Sequence, residues 1–406
     1  MKVRRLYVWL FVTTLVTCAS CETDGPDDYK NYFIKYYGGD GNQEAKDFVV
    51  NDDGTIIILG TSIESSEVTR LYIVKTDPEG NVLWQKKIGS ESESAQDIEL
   101  ITAGADAGNV VLLSNVKKNE ADSTAIRLTI VSQNGDSLKS KYFDFLASQK
   151  AKSVTPLDDG GLYVGGNTTD TDAAKNTFLT IPDVEDALII KFESDWNNYD
   201  IEQIGSSSIT AVVQIIKQPN SIIFASYSDE LLGAETFYES NFVFRKIENN
   251  NEITLAVEDP SRVSEFLVGI SKGLFGDYLS TGTQQVESGV TRIYAARINS
   301  GFTTVLEQGI VVGPNRGEAV SVTRSKDGNF WIVGNEVLAG GRNIWVGKIG
   351  TQLNVTNTYR FGAANNDDTA SGIKELENGD LLILGTMELV NQKKIALIKI
   401  KADGSF

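Results

Sequence analysis

The sequence predicts an all-β fold: a seven-bladed β-propeller of four-stranded antiparallel blades, closed by an N-terminal strand that completes the last blade. Three observations predict it. First, a strand, tight turn, strand unit returns along the chain, anchored at Ala45, Ala95, Ala151, Ala211, Ser264, Ala319 and Ala370. The spacings are 50, 56, 60, 53, 55 and 51 residues, the period of propeller repeats. Second, the turn inside the unit keeps its chemistry, as Asn51-Asp52-Asp53-Gly54, Leu157-Asp158-Asp159-Gly160, Ser325-Lys326-Asp327-Gly328 and Leu376-Glu377-Asn378-Gly379. Asp and Asn bond their own backbone there, and Gly supplies the left-handed residue. Third, the last copy stops after its third strand at Ala402-Asp403-Gly404, while Asn31 to Gly39 is a strand with no blade of its own. Pairing the two removes an exposed sheet edge.

The elements follow in order. Lys2, Arg4 and Arg5 precede the apolar run Leu6 to Thr17, 12 residues long. That is short of the ~20 needed to cross a bilayer and suits the core of an export signal. Ala19 and Ser20 then lead to Cys21. Residues 1–20 are expected as a signal peptide, 21–30 as an acidic flexible tether and 31–406 as the propeller. In the first blade Ala45 to Val50, Thr55 to Thr61, Leu71 to Lys75 and Leu83 to Ile88 are the four strands. The strongest later echoes are the apolar strands Leu162 to Gly165, Phe330 to Gly334 and Leu381 to Gly385; weaker ones stand at Gly108 to Asn115, Ser221 to Ser226 and Leu274 to Gly282.

Basic residues, a short apolar run, small residues and Cys21 together resemble the lipobox of bacterial lipoproteins, which implies cleavage before Cys21 and acylation of its thiol. Glu22 to Asp28 is similar to the export signal of surface lipoproteins in Bacteroidota, which implies outward display on the outer membrane. The repeats resemble the propellers of such lipoproteins over nearly all of the mature chain. The Gly-His and Trp-Asp pair of WD40 blades is missing. Ser325-Lys326-Asp327-Gly328 misses the sialidase Ser-x-Asp-x-Gly box by one position, so neither family's activity carries over. Asp122-Ser123-Thr124, Asp136-Ser137-Leu138 and Asp368-Thr369-Ala370 resemble the Bacteroidota O-glycosylation pattern, with Ser123, Ser137 and Thr369 as acceptors.

Composition excludes several functions. The 37 Lys and Arg stand against 55 Asp and Glu, a net charge of -18, and a nucleic-acid backbone would be repelled. Loss of residues 1–20 removes three bases and leaves 34 against 55, a net of -21. There is no His, and the two Cys, Cys18 and Cys21, both lie near the N-terminus. A Ser-His-Asp triad, a Cys-His pair and the common zinc sites are thereby absent. Gly38-Gly39-Asp40-Gly41 is not a Walker loop, and Asp170-Thr171-Asp172 is too thin for calcium. No cofactor or metal is expected, and no catalysis.

Three feature sets bear on binding. Lys75, Lys191, Lys246, Arg297, Lys348 and Lys399 repeat at one register of the third strand, with Ile130 as the exception, and are expected at an outer edge facing water or a neighbouring acid. Glu44, Glu93, Glu318, Asp367 and Asp368 stand in blade-to-blade links that could reach a central mouth, where two carboxylates suffice for glycoside cleavage. Loop length favours Asn167 to Asp186 and Tyr227 to Ser240, with Asp229 to Ala234 as one helical turn; long loops on a rigid scaffold carry binding. Phe178, Leu179 and Ile181 in the first loop, with Leu231, Leu232, Phe237 and Tyr238 in the second, make a patch for an outer-membrane protein complex. The alternative is a glycan bound or cleaved in the mouth.

Overall fold

The computed structural model describes residues 31–65, 68–118, 123–144, 148–169, 185–204, 210–231, 238–257, 263–287, 289–311, 313–363 and 365–406. They form seven four-stranded sheets. Within each sheet neighbouring strands run antiparallel. The first strands, Asn42–Val50, Glu93–Leu100, Gln149–Pro156, Thr210–Gln218, Glu265–Lys272, Gly317–Arg324 and Thr369–Glu375, surround a central channel.

The ring closes as the sequence predicts. Phe33–Tyr37 takes the outer position of the seventh sheet, antiparallel to Gln392–Ile400, with Phe33 opposite Lys399 and Tyr37 opposite Ile395. Signal peptide, tether and Cys21 lie outside the described residues.

Packing explains why closure is needed. Seven clusters of buried side chains occur among the described residues, one at each junction between consecutive blades. Each sheet is therefore covered on both faces, and in most blades the second strand is a continuous apolar run instead of an alternating one; the blade 5 strand Tyr278–Glu287 is the polar exception. Ile56, Ile57, Ile58 and Leu59 are all at most 1% exposed. A blade has no core of its own; it borrows half from each neighbour.

Every first strand carries a β-bulge at the same place, after Ala45, Ala95, Ala151, Val212, Leu267, Ala319 and Ala370. In blades 4 and 5 the anchor thus sits one and three residues beyond Ala211 and Ser264, because valine and leucine take the place of alanine. On the second strand, Gly60, Gly166, Gly282, Gly334 and Gly385 face the bulge. A Cβ there would lie 2.2–2.6 Å from the carbonyl oxygen of Glu44, Lys150, Phe266, Glu318 or Thr369, so a larger residue needs a shift of backbone; blades 2 and 4 carry Ser114 and Ser226 at this place. The next residue ties the ring together: Thr61, Asn115, Thr283, Asn335 and Thr386 each accept the backbone N–H of the following blade's anchor at 2.8–3.1 Å.

The third-strand bases correct an expectation in part. Lys191 is exposed, and Lys246, Arg297 and Lys348 each pair with an acid, as expected; but Lys75, Lys246 and Lys399 are buried and do not face water. Lys75 donates to the carbonyl of Gln133, Lys246 to Ser300, Arg297 to Thr351 and Lys399 to Pro78, at 2.9–3.4 Å. Each acceptor lies in the third-to-fourth turn of the next blade. Lys348 pairs with Asp327 at 2.6 Å, and Lys191 lies over the Tyr163 ring. Four of the bases fasten consecutive blades by hydrogen bonds to turn backbone, and Trp84 adds a second donor to the Gln133 carbonyl at 3.0 Å.

Candidate functional site

The bulges build the channel. A bulge turns one extra residue out of the ladder and re-aims its side chain. Here the extra residues are Lys46, Gln96, Lys152, Val213, Val268, Val320 and Ser371, and all seven line one cavity of about 630 Å³. That volume falls within the ~300–1,000 Å³ of small-molecule sites. The wall is divided: Lys46, Gln96 and Lys152 stand on consecutive blades 1 to 3, while Val213, Val268 and Val320 stand on blades 4 to 6.

In blades 1, 2 and 4 the residue after the bulge serves the ring. Asp97 accepts the N–H of Val154 on the next blade at 2.7 Å, and Gln214 accepts that of Ile270 at 2.8 Å. Asp47 bonds the backbone of Ile98 in the same manner and is also hydrogen-bonded to Asp97. Two carboxyls so joined share a proton. Burial raises both, and the charge of Asp47 raises Asp97 further. Glu99, ringed by protein yet open to the channel, is pushed up to about 8, first by burial and then by the charge of Asp47, against the pull of Lys374. Among the described residues no three His, Cys, Asp or Glu side chains are placed to hold a metal ion.

Lys152 is drawn down by burial, with Lys46 and Lys150 adding to the effect and Glu185 opposing it. Its ammonium reaches the hydroxyl of Tyr227 at 3.3 Å and lies 5.0 Å from that ring's centroid. Tyr227 in turn packs edge-on against Phe266, their centroids 5.7 Å apart.

The expected mouth carboxylates divide. Asp367 forms a bidentate pair with Arg342 at 2.6 and 2.8 Å, and Lys393 joins Glu44 and Asp367 at 3.3 and 3.4 Å. Glu318 lies 3.9 Å from Arg342. Glu93 and Asp368 are buried structural acceptors: Glu93 takes the hydroxyl of Ser114 at 2.6 Å, and Asp368 the N–H groups of Ala363 and Glu388 at 2.9 and 2.8 Å. Sequence reasoning missed Asp47, Asp97 and Glu99. The signal was a polar residue two positions after the anchor alanine, in Ala45-Lys46-Asp47, Ala95-Gln96-Asp97 and Ala151-Lys152-Ser153.

Of the expected docking residues, Phe178, Leu179, Ile181, Leu232 and Phe237 lie outside the described residues. Leu231 and Tyr238 are cross-strand partners, since the blade 4 hairpin extends through Ser221–Leu231 and Tyr238–Glu248. Asp229 to Leu231 is thus strand and not the start of a helical turn, and the loop is shorter than expected. Ser123 is buried, Ser137 exposed and Thr369 half-buried on the channel wall.

No family model and no curated protein matches the sequence. Solved structures share the fold. An ulvan lyase of polysaccharide lyase family PL25 superposes with a TM-score of 0.60 at 9% identity, over 91% of this chain and 97% of that one. The plexin A4 extracellular region gives 0.55 at 10% identity, over 91% of this chain and 47% of that one. The Pyrococcus horikoshii acylaminoacyl peptidase gives 0.50 at 12% identity, over 88% and 52%. At these identities the likeness concerns the fold. It nonetheless corrects the expectation of a chain without catalysis: enzymes are built on this architecture, and lack of His and Cys leaves carboxylate and lysine chemistry open. The chain is a seven-bladed β-propeller whose structural neighbours are enzymes and binding proteins.

Proposed function

We propose that this chain is a lipid-anchored propeller, displayed on the outer membrane, that takes a hydroxyl-rich ligand of the saccharide class into its central channel. One observation carries the reading. The seven bulged residues converge on a single cavity of about 630 Å³ whose wall offers donors, acceptors and an apolar arc together. Sugar rings present the same combination, hydroxyls at the edge and C–H groups on the faces. The channel carboxyls Asp47, Asp97 and Glu99 supply protonated and ionised groups side by side, the pairing that acid–base chemistry on a glycan requires. An oligosaccharide panel titrated by calorimetry tests this. A hit is expected, and it should vanish when Val268→Trp fills the cavity; binding that survives the plug refutes the site.

A second reading, docking onto an outer-membrane protein complex, is favoured by the blade 4 hairpin. Its strands are 11 residues each, whereas the other second strands have 7–10. Replacing Phe237 and Tyr238 with alanine should reduce copurification of the partner; full association would refute docking there.

A further inference from the structure

The channel wall distinguishes between ligands, and this inference rests on the channel being the binding site. Lys46, Gln96 and Lys152 occupy the bulges of three consecutive blades and line the same cavity. Lys46 lies near enough to oppose the charge of Lys152, which burial opposes most and Glu185 favours. Like charges are held together at a cost unless something neutralises them. Among the described residues neither makes an ion pair, although Lys86, Lys87, Lys150, Lys348 and Lys393 all do. The acids below them are engaged elsewhere: Asp97 and Asp47 hold each other and the backbone of the next blade. Ser153, next to Lys152 and lining the same cavity, is 5% exposed and its hydroxyl has no hydrogen-bond partner. Across the channel Val213, Val268 and Val320 offer only methyl groups.

We propose that the channel selects an acidic saccharide, its carboxylate seated between Lys46 and Lys152 with Gln96 donating from the middle, and its apolar ring face against the valine arc. The protein carries a net charge of -18, so its long-range field would repel such a ligand; local neutralisation of two ammonium groups that make no ion pair among the described residues has to supply the preference.

The test compares two probes that differ only in charge, trigalacturonate and its methyl ester, by isothermal titration of the full chain at pH 7. Trigalacturonate should bind at least about tenfold tighter, the size of one charged hydrogen bond. The double variant Lys46→Met, Lys152→Met should weaken trigalacturonate by about a hundredfold and leave the ester unchanged. Lys152→Gln serves as a second variant should the double one melt early, with about a tenfold loss expected. Equal affinity for the two probes, no binding of trigalacturonate, or lysine variants that bind it as wild type does would each overturn the proposal. If those occur while Val268→Trp still abolishes ester binding, the acidic preference falls and the channel site stands. Binding of both probes unaffected by Val268→Trp would overturn both.

Discussion

Phe33 holds the ring shut, and its removal gives a quantitative test of the closure. Its side chain is 8% exposed, within the cluster of Tyr37, Phe48, Ile56, Tyr72, Leu382 and Ile395 that joins the last blade to the first. Ile34, next along the strand, is 37% exposed on the opposite side. Truncating a packed phenylalanine to alanine costs about 3–5 kcal/mol, because the transfer energy is lost and a cavity remains. Residues 31–406 number 376, and at about 2.1 cal/mol/K per residue the unfolding entropy is roughly 0.8 kcal/mol/K. A loss of about 4 kcal/mol therefore lowers Tm by about 5 °C. Ile34→Ala removes a half-exposed side chain and should shift Tm by less than about 2 °C. Differential scanning calorimetry on both variants is the assay. Equal shifts, or a larger one for Ile34→Ala, would refute the idea that the latch works through the junction core.

Other expectations follow from the same geometry. Gly60→Ala places a Cβ 2.4 Å from the Glu44 carbonyl oxygen, whereas one at Gly39 meets nothing within 4 Å; the first should destabilise by about 1–3 kcal/mol and Gly39→Ala by less than about 0.5 kcal/mol in denaturant titration. Lys75→Met removes two hydrogen bonds to Gln133, at 3.3 and 2.7 Å, while Trp84 and Asn51 still donate to the same two oxygens; the cost should be about 0.5–1.5 kcal/mol, readable in urea melts. Glu99 is raised to about 8 in the fold from 4.5, so its stabilising contribution is complete below about 4.5 and is lost as pH rises through about 8. Glu99→Gln should flatten stability across that window and make the protein more resistant to urea than wild type above pH 8; an unchanged pH profile would exclude Glu99 as the titrating group.

Blade number and closure were legible because turns and apolar second strands obey local rules. The Asp-Gly turns need a left-handed residue whatever the neighbours do, as at Gly54 and Gly379, with φ of 80° and 91°. The anchors slipped in blades 4 and 5, where Val212 and Leu267 break the alanine pattern by which the others are recognised. The roles of Lys75 and Lys399 were hidden for a different reason. Their acceptors, Gln133 and Pro78, lie 58 residues ahead and 321 residues back along the chain; blade stacking brings the first near, and ring closure the second. The channel acids were visible as polar intrusions in an apolar strand, but their convergence depends on the bulge, which no single strand announces.

The repeated bulge also separates two tasks that a flat strand would force together. On either side of it the same strand packs its neighbours, while the displaced residue turns towards the lumen. Lys46 and Gln96 stand clear of the junction cores, whereas Val213, Val268 and Val320 also pack against them and Ser371 donates to the carbonyl of Ala45 on the next blade. One arc of the lumen is thus free to drift in selectivity while the opposite arc is held by the same contacts that keep the ring together.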